Sequence, residues 1–291
     1  MIDLQVRLRQ LREKAQALHA IPAAGPSLGE RLERLRVPGS TRPATTAESL
    51  AASLRGKIAA PGLIELARTY PLPLRHGEIT VANGHVLAEV ARSLGSFDAP
   101  VAPEALLCLD TETTGLAGGT GTVAFMVGLA WLESGALRVV QWILAGFAAE
   151  GSLVERVRER MALAGVLVTF NGKSFDLPLL KARARLAGTD ITTDGLAHLD
   201  LLHVTRRLLH AGWPDCRLRT AEARALRLER PDDLPGAEAP AAWRRWLERG
   251  DASQLARVAD HNRADLLALV ALLALLEKPT AREAPLLHAA L

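Results

Sequence analysis

The chain has 291 residues, which at roughly 150 residues per domain suggests one large or two small domains. Hydrophobic residues make up 49% and charged residues 23%, enough apolar side chain to bury a core. The net charge of +3 at pH 7 permits a polyanionic partner without requiring one, and with Cys108 and Cys216 as the two cysteines neither a disulfide framework nor a four-cysteine zinc site can form.

The opening stretch MIDLQVRLRQLREKAQ is charged throughout and lacks the apolar core of a signal peptide. The longest apolar run, residues 266–276, is too short to span a bilayer. A soluble cytoplasmic protein is therefore expected. Residues 1–20 carry leucines and alanines at the spacing of one helix face. Residues 21–62 are punctuated by Pro and Gly and read as linker, apart from a helical piece at 46–56. A strand is expected at 78–82 and a short helix at 84–94.

From about residue 103 the pattern becomes regular. ALLCLD, residues 105–110, has the apolar run of a buried strand. Strands at 122–132 and 137–145 flank Glu133-Ser134-Gly135, a turn that suits a hairpin. A helix at 152–164, a strand at 166–170, a helix at 176–187 and a short strand or turn at 198–201 follow. Helices are then expected near 202–211, 219–226, 239–249 and 254–276. Three strands able to meander, followed by strands reached through helices, pack naturally as a mixed sheet covered by helices on both faces. That order is a ribonuclease-H-like topology. We therefore expect an α/β fold with a ribonuclease-H-like mixed sheet at 101–278, an N-terminal extension at 1–100 and a tail at 279–291.

Three clusters can carry chemistry. In LDTETTG, Asp110 and Glu112 stand two apart on a strand and project from one face. Two such carboxylates repel unless a cation neutralises them, and a hard divalent ion suits oxygen ligands. Taken alone, the pair is more often an ordinary solvated strand end. In FNGKSFDLPLL, Asp176 lies at the start of a helix, where an N-capping role is the plain alternative. Gly172-Lys173-Ser174 imitates the end of a P-loop, but that motif needs glycine where Leu167 stands. In DHNRADLLALVALLALL, His261, Asn262 and Asp265 share a helix side ahead of an almost wholly apolar stretch. Together, Asp110, Glu112, Asp176 and Asp265 are four acids that strand and helix ends could deliver to one cavity, as two-metal hydrolysis requires.

LDTETTGL, NGKSFDLPLL and HNRADLLAL resemble the three motifs of the DEDD exonuclease superfamily. The longer strings DTETTGLAGGTGTVAFMVGL, TFNGKSFDLPLL, HLDLLH and HNRADLLAL are similar to the YprB-like ribonuclease-H-fold group, over about residues 104–277. The resemblance implies a nuclease that hydrolyses single-stranded DNA or RNA in the 3′→5′ direction, with Asp110, Glu112, Asp176 and Asp265 holding two Mg²⁺ or Mn²⁺ ions. His261 stands four residues before Asp265, where one subclass has tyrosine, and the position used by the histidine subclass is Asp260. Imidazole, which titrates near neutrality, is a competent base for an attacking water, and the role is assigned to His261. Asn171 is expected to steady the second motif or touch a phosphate. Lys173, Arg206 and Arg207 are candidate phosphate ligands, within a wider basic set that includes Lys181, Arg183, Arg185, Arg217 and Arg219. Asp200 reads as a helix-starting residue supporting the site, and Trp243 and Trp246 as packing residues. A structure-selective endonuclease and a non-catalytic nucleic-acid-binding module are the alternatives on this fold.

Overall fold

The computed structural model describes residues 46–97, 99–115 and 121–277. The helix expected at 1–20, residues 116–120 of the glycine-rich segment and the expected tail at 279–291 lie outside the described residues.

Helix α1 (Ala47–Leu54) opens on a capping box between Thr46 and Ser49. At the end of the stretch that the sequence suggested as linker, β1 (Lys57–Ala60) forms a hairpin with β2 (Leu63–Pro71), a strand not expected from the sequence. The Pro61-Gly62 dipeptide that looked like linker punctuation is its two-residue turn, with Gly62 at φ +75°. Proline followed by a positive-φ glycine is turn chemistry. Strands β3 (Leu74–His76) and β4 (Ile79–Val81) make a separate small hairpin, and α2 (Gly84–Gly95) follows with Asn83 as its cap.

The meander consists of β5 (Leu106–Thr113), β6 (Ala124–Glu133) and β7 (Ala136–Leu144). Ser134 and Gly135 both take positive φ, at 51° and 75°, as a primed two-residue hairpin turn demands. After it come α3 (Glu150–Met161), β8 (Val166–Thr169), α4 (Asp176–Leu186), β9 (Ala197–Asp200) and α5 (Leu201–Leu208). A single helical turn, α6 (Leu218–Ala221), runs into a π-helical turn at Glu222–Leu226. Helices α7 (Ala239–Arg249) and α8 (Ser253–Leu275) complete the described chain.

The main sheet has the order β1-β2-β7-β6-β5-β8-β9. It is antiparallel from β1 to β5 and parallel from β5 through β8 to β9. This is the mixed, helix-flanked, ribonuclease-H-like sheet expected from the element order. It is wider than expected, because β2 pairs with β7 along its whole length, from Leu63↔Leu144 to Pro71↔Ala136.

Alternation along β5 feeds two cores. Leu107 and Leu109 enter the layer with Phe125, Trp243 and Trp246, while Leu106 and Cys108 enter the layer with Leu266, Leu269 and Leu273 of α8. By the same period of two, Asp110 and Glu112 continue the Leu106–Cys108 face towards α8. Trp243 and Trp246 are packing residues, buried with their indole N–H groups donating to the carbonyls of Leu144 and Ala145 at 2.9 Å. Among the described residues, no helix is long and apolar enough to cross a membrane.

Candidate active site

In open sheets with parallel strands, the loops at the strands' C-terminal ends gather side chains from distant parts of the chain. Asp110 and Glu112 lie at that end of β5, the loop after β8 leads into Asp176, and Asp200 ends β9. Helix α8 crosses β5 and supplies Asp265.

The four acids sense one another. Burial pushes Asp110 well above the usual carboxylate range, and the charges of Asp265, Asp176 and Glu112 push it further. Glu112, 7% exposed, is raised by burial and then by Asp265 and Asp176. Burial raises Asp176 to about 6, against the pull of a hydrogen bond from the Thr111 hydroxyl to its Oδ1. Asp265 is also raised by burial, opposed by His261 and Arg230. The sequence-predicted quartet therefore forms one electrostatic cluster.

A buried polar chain orients Asp110. Gln141 on β7 donates through Nε2 to Asn262 Oδ1 at 2.9 Å and to the Ala259 carbonyl at 2.7 Å. Asn262, fully buried, donates through Nδ2 to Asp110 Oδ2 at 2.7 Å. The close approach depends on Gly128, where a Cβ would stand 2.1 Å from Asn262 Oδ1 and 2.8 Å from Leu266 Cδ1. Gly128→Ala should therefore destabilise the fold by about 1–3 kcal/mol through overpacking and displace Asn262. Chemical denaturation measures this; a loss below about 0.5 kcal/mol would show that α8 yields without cost.

On the other side of Asp265 lies a network that sequence reasoning missed. Arg230 Nη2 donates to Asp265 Oδ1 at 2.6 Å and to Glu222 Oε2 at 2.5 Å. Its Nη1 lies 3.2 Å from Asp233 Oδ2. His261 Nδ1 is 2.8 Å from Asp233 Oδ2, and its Nε2 is 3.6 Å from Asp265 Oδ2. Glu222 sits on the π-helical turn, and His76 Nε2 from β3 approaches its Oε1 at 3.7 Å. Glu222 lies on a helical turn and Arg230 and Asp233 in the irregular stretch that follows, and nothing in their spacing distinguishes them from surface charges.

Asp200 caps α5 through the Leu202 N–H at 3.0 Å, as its helix-starting reading suggested. It also accepts the backbone N–H groups of Asn171 at 2.7 Å and Lys173 at 3.0 Å. The loop after β8 is thereby pinned to β9. Asn171 takes φ +68°, a conformation asparagine tolerates, and a Cβ on Gly172 would meet Thr169 Cβ at 2.5 Å. Several of the basic residues expected to face phosphates are engaged within the chain: Lys181 donates to Thr193 at 2.7 Å, Arg183 pairs with Glu150 and Arg217 lies 3.7 Å from Asp215. Lys173, Arg206 and Arg207 are exposed.

Among the described residues, no group of three or more His, Cys, Asp or Glu side chains stands at metal-ligating spacing, and Asp265 is engaged by Arg230. The donor chemistry nevertheless suits a hard divalent cation: Asp110, Glu112, Asp176 and Asp265 offer oxygen ligands only, and their mutual repulsion is what a cation relieves.

A family model of the RNase_H superfamily matches residues 107–277, which include all four acids, and the chain belongs to that superfamily. It is 32% identical over 213 residues to the uncharacterised protein YprB of Bacillus subtilis, an alignment covering 70% of this chain and 50% of YprB. The chain thus spans about half the length of that relative. Among solved structures it is similar to a zinc-bound complex of E. coli exonuclease I with single-stranded DNA, at 14% identity and a TM-score of 0.42, covering 63% of this chain and 42% of that one. It is also similar to the family B DNA polymerase of Pyrobaculum calidifontis, at 14% identity and a TM-score of 0.45, covering 77% and 30%.

Proposed function

We propose that this chain is a divalent-metal-dependent 3′→5′ exonuclease that hydrolyses phosphodiester bonds of single-stranded DNA or RNA in the cytoplasm, with residues 101–278 as its nuclease domain. The observation that supports the reading is that Asp110, Glu112, Asp176 and Asp265 come from three distant segments, and that the charges of Asp265 and Asp176 raise the pKa values of Asp110 and Glu112. A cluster of mutually repelling acids is a poor surface for binding a polyanion unless cations intervene. The direction of attack rests on the resemblance of the three motifs to DEDD exonucleases.

The quartet would hold two Mg²⁺ or Mn²⁺ ions, which, when bound, supply an activated water and stabilise charge at the leaving oxygen. The chain's own residues do the remaining work. Asn262 and Gln141 hold Asp110 in place, and Thr111 holds Asp176. Asp233 engages His261 at Nδ1, which leaves Nε2 as the basic nitrogen facing Asp265. In this reading His261 takes the proton of the attacking water through Nε2, in the tautomer its other nitrogen selects. Exposed Phe175, next to Asp176, offers an apolar face to a base.

Labelled linear and circular DNA and RNA, incubated with Mn²⁺ or with chelator, test the proposal. Metal-dependent shortening of linear strands from the 3′ end supports it, cleavage of circles replaces it with an endonuclease, and no product from any substrate removes it. His261→Ala should lower kcat on the order of 10²- to 10⁴-fold with a much smaller change in KM. Unchanged turnover at pH 7 would take the base role away from His261.

A further inference from the structure

Several cations elsewhere in the fold are matched by acids. On α3, Arg156 pairs with Glu159 and Arg158 with Glu155, and Arg183 of α4 pairs with Glu150. Helix α5 is different. His203, Arg206 and Arg207 are exposed on it, and residues 201–214 contain no acidic residue. His203 and Arg207 are four apart, so they occupy one helix face. Together with Lys173, His198 and Leu94 they line a groove of about 180 Å³. Among the described residues, the side chains of Lys173, His203 and Arg207 make no hydrogen bond or ion pair.

The groove contains one carboxylate, Asp200. Its oxygens are committed to the N–H groups of Asn171, Lys173 and Leu202, so they fix the groove's geometry instead of pairing with its cations. His198 shares its Nε2 with the Thr169 hydroxyl at 2.9 Å. Burial and then the Lys173 ammonium push it down to about 4, so at neutral pH it is uncharged and the groove's positive charge comes from Lys173 and Arg207, set against the carboxylate of Asp200. The groove also adjoins the acid cluster: Lys173 lies three residues before Asp176 on the pinned loop, and the charge of Asp200 is felt at Asp176.

We infer that this groove is a phosphate-binding subsite, in which Lys173, His203 and Arg207 hold a backbone phosphate of a single strand whose end lies among the four acids. The inference rests on the exonuclease reading and adds to it the path of the strand, over the β8–α4 loop and along α5. Unpaired cations beside a cluster of acids give a polyanion a place to dock outside the repulsive zone. Positively charged grooves that track the backbone are a general means of holding single strands without reading their sequence.

Binding is measured by fluorescence anisotropy, with Ca²⁺ present, on protein carrying Asp110→Asn so that hydrolysis does not intervene. The probe is a labelled oligothymidylate of about 12 nucleotides, within the usual span of single-strand sites. Adding Lys173→Gln and Arg207→Gln should weaken binding about tenfold and reduce the slope of log K against log salt by about 0.7 for each phosphate that is no longer neutralised. Arg156→Gln, which removes a charge from α3, should leave both quantities unchanged. Equal affinity and slope in the double variant, an equal loss in Arg156→Gln, or no binding of the strand by either protein would overturn the subsite. Hydrolysis by the wild-type protein in Mn²⁺ is followed separately. Groove-dependent binding without hydrolysis would leave the subsite standing and remove the exonuclease.

Discussion

Asp110→Asn should abolish hydrolysis and, in chelator, make the protein more stable. Outer groups around a metal site typically matter 10- to 100-fold; a direct ligand should matter more, on the order of a thousandfold in kcat. The stability gain follows from the charges around Asp110. Its carboxyl is raised by burial and by Asp265, Asp176 and Glu112, so at neutral pH this site destabilises the folded state relative to the unfolded chain. Asparagine is nearly isosteric, and its carbonyl oxygen can accept from Asn262 Nδ2 as Asp110 does. Relief of such functional strain commonly amounts to about 0.5–2 kcal/mol.

The pH dependence has a definite sign. Asp176 is raised to about 6 from an ordinary value of 3.8, so between these values the folded state binds more protons than the unfolded state. Stability must then fall as pH rises through that window. Asp110 and Glu112 are raised as well, so they act in the same direction, and the three carboxyls together outweigh His198, whose lowered pKa of about 4 acts in the opposite sense. The metal-free protein should therefore be more stable near pH 5 than near pH 7.5. Mn²⁺ should recover the loss at the higher pH by binding the folded state, and in Asp110→Asn both the decline and the recovery should be smaller. Thermal unfolding across pH, with and without Mn²⁺, measures all three. A wild-type protein whose stability rises from pH 5 to 7.5 in chelator would contradict the repulsive cluster.

Arg230→Met should be the most destabilising change near the site. The guanidinium meets Glu222, Asp233 and Asp265 at 2.5, 3.2 and 2.6 Å, and Glu222 is only 1% exposed. Methionine fills similar volume and removes the charge, leaving three acids facing one another. Breaking a buried ion pair on one side typically costs about 3–5 kcal/mol. Chemical denaturation in chelator at pH 7.5 should show a loss in that range, shrinking as the pH is lowered and the abandoned carboxyls protonate. Arg230→Lys should fall between, because an ammonium keeps the charge without the planar fork that serves three partners. A loss below about 1 kcal/mol for Arg230→Met would mean that water already screens this network.

The β5–β6–β7 meander was legible because short-range signals agree there: residues 105–109, ALLCL, are continuously apolar and the Ser134-Gly135 turn has its own chemistry. The strand β2 was not. LIELARTYP lies between two prolines and lacks a clean alternation, and its strand character comes from β7, more than sixty residues away in the chain. Nor was the setting of Asn262 on α8, which is fully buried because Gly128 opens a space for it beside Asp110.

Residue order alone was enough to specify most elements after residue 103 and the superfamily, and to single out four candidate acids, because strand and helix periodicities and contiguous motifs are local properties of a chain. The partners of those acids are not local. Arg230 lies 35 residues before Asp265, Gln141 lies 121 residues before Asn262, and Lys173 and Arg207 line one groove from two separate elements. Such pairings exist only once the strand ends are brought together, since charge and hydrogen bonding act over a few ångströms of space whatever the distance along the backbone.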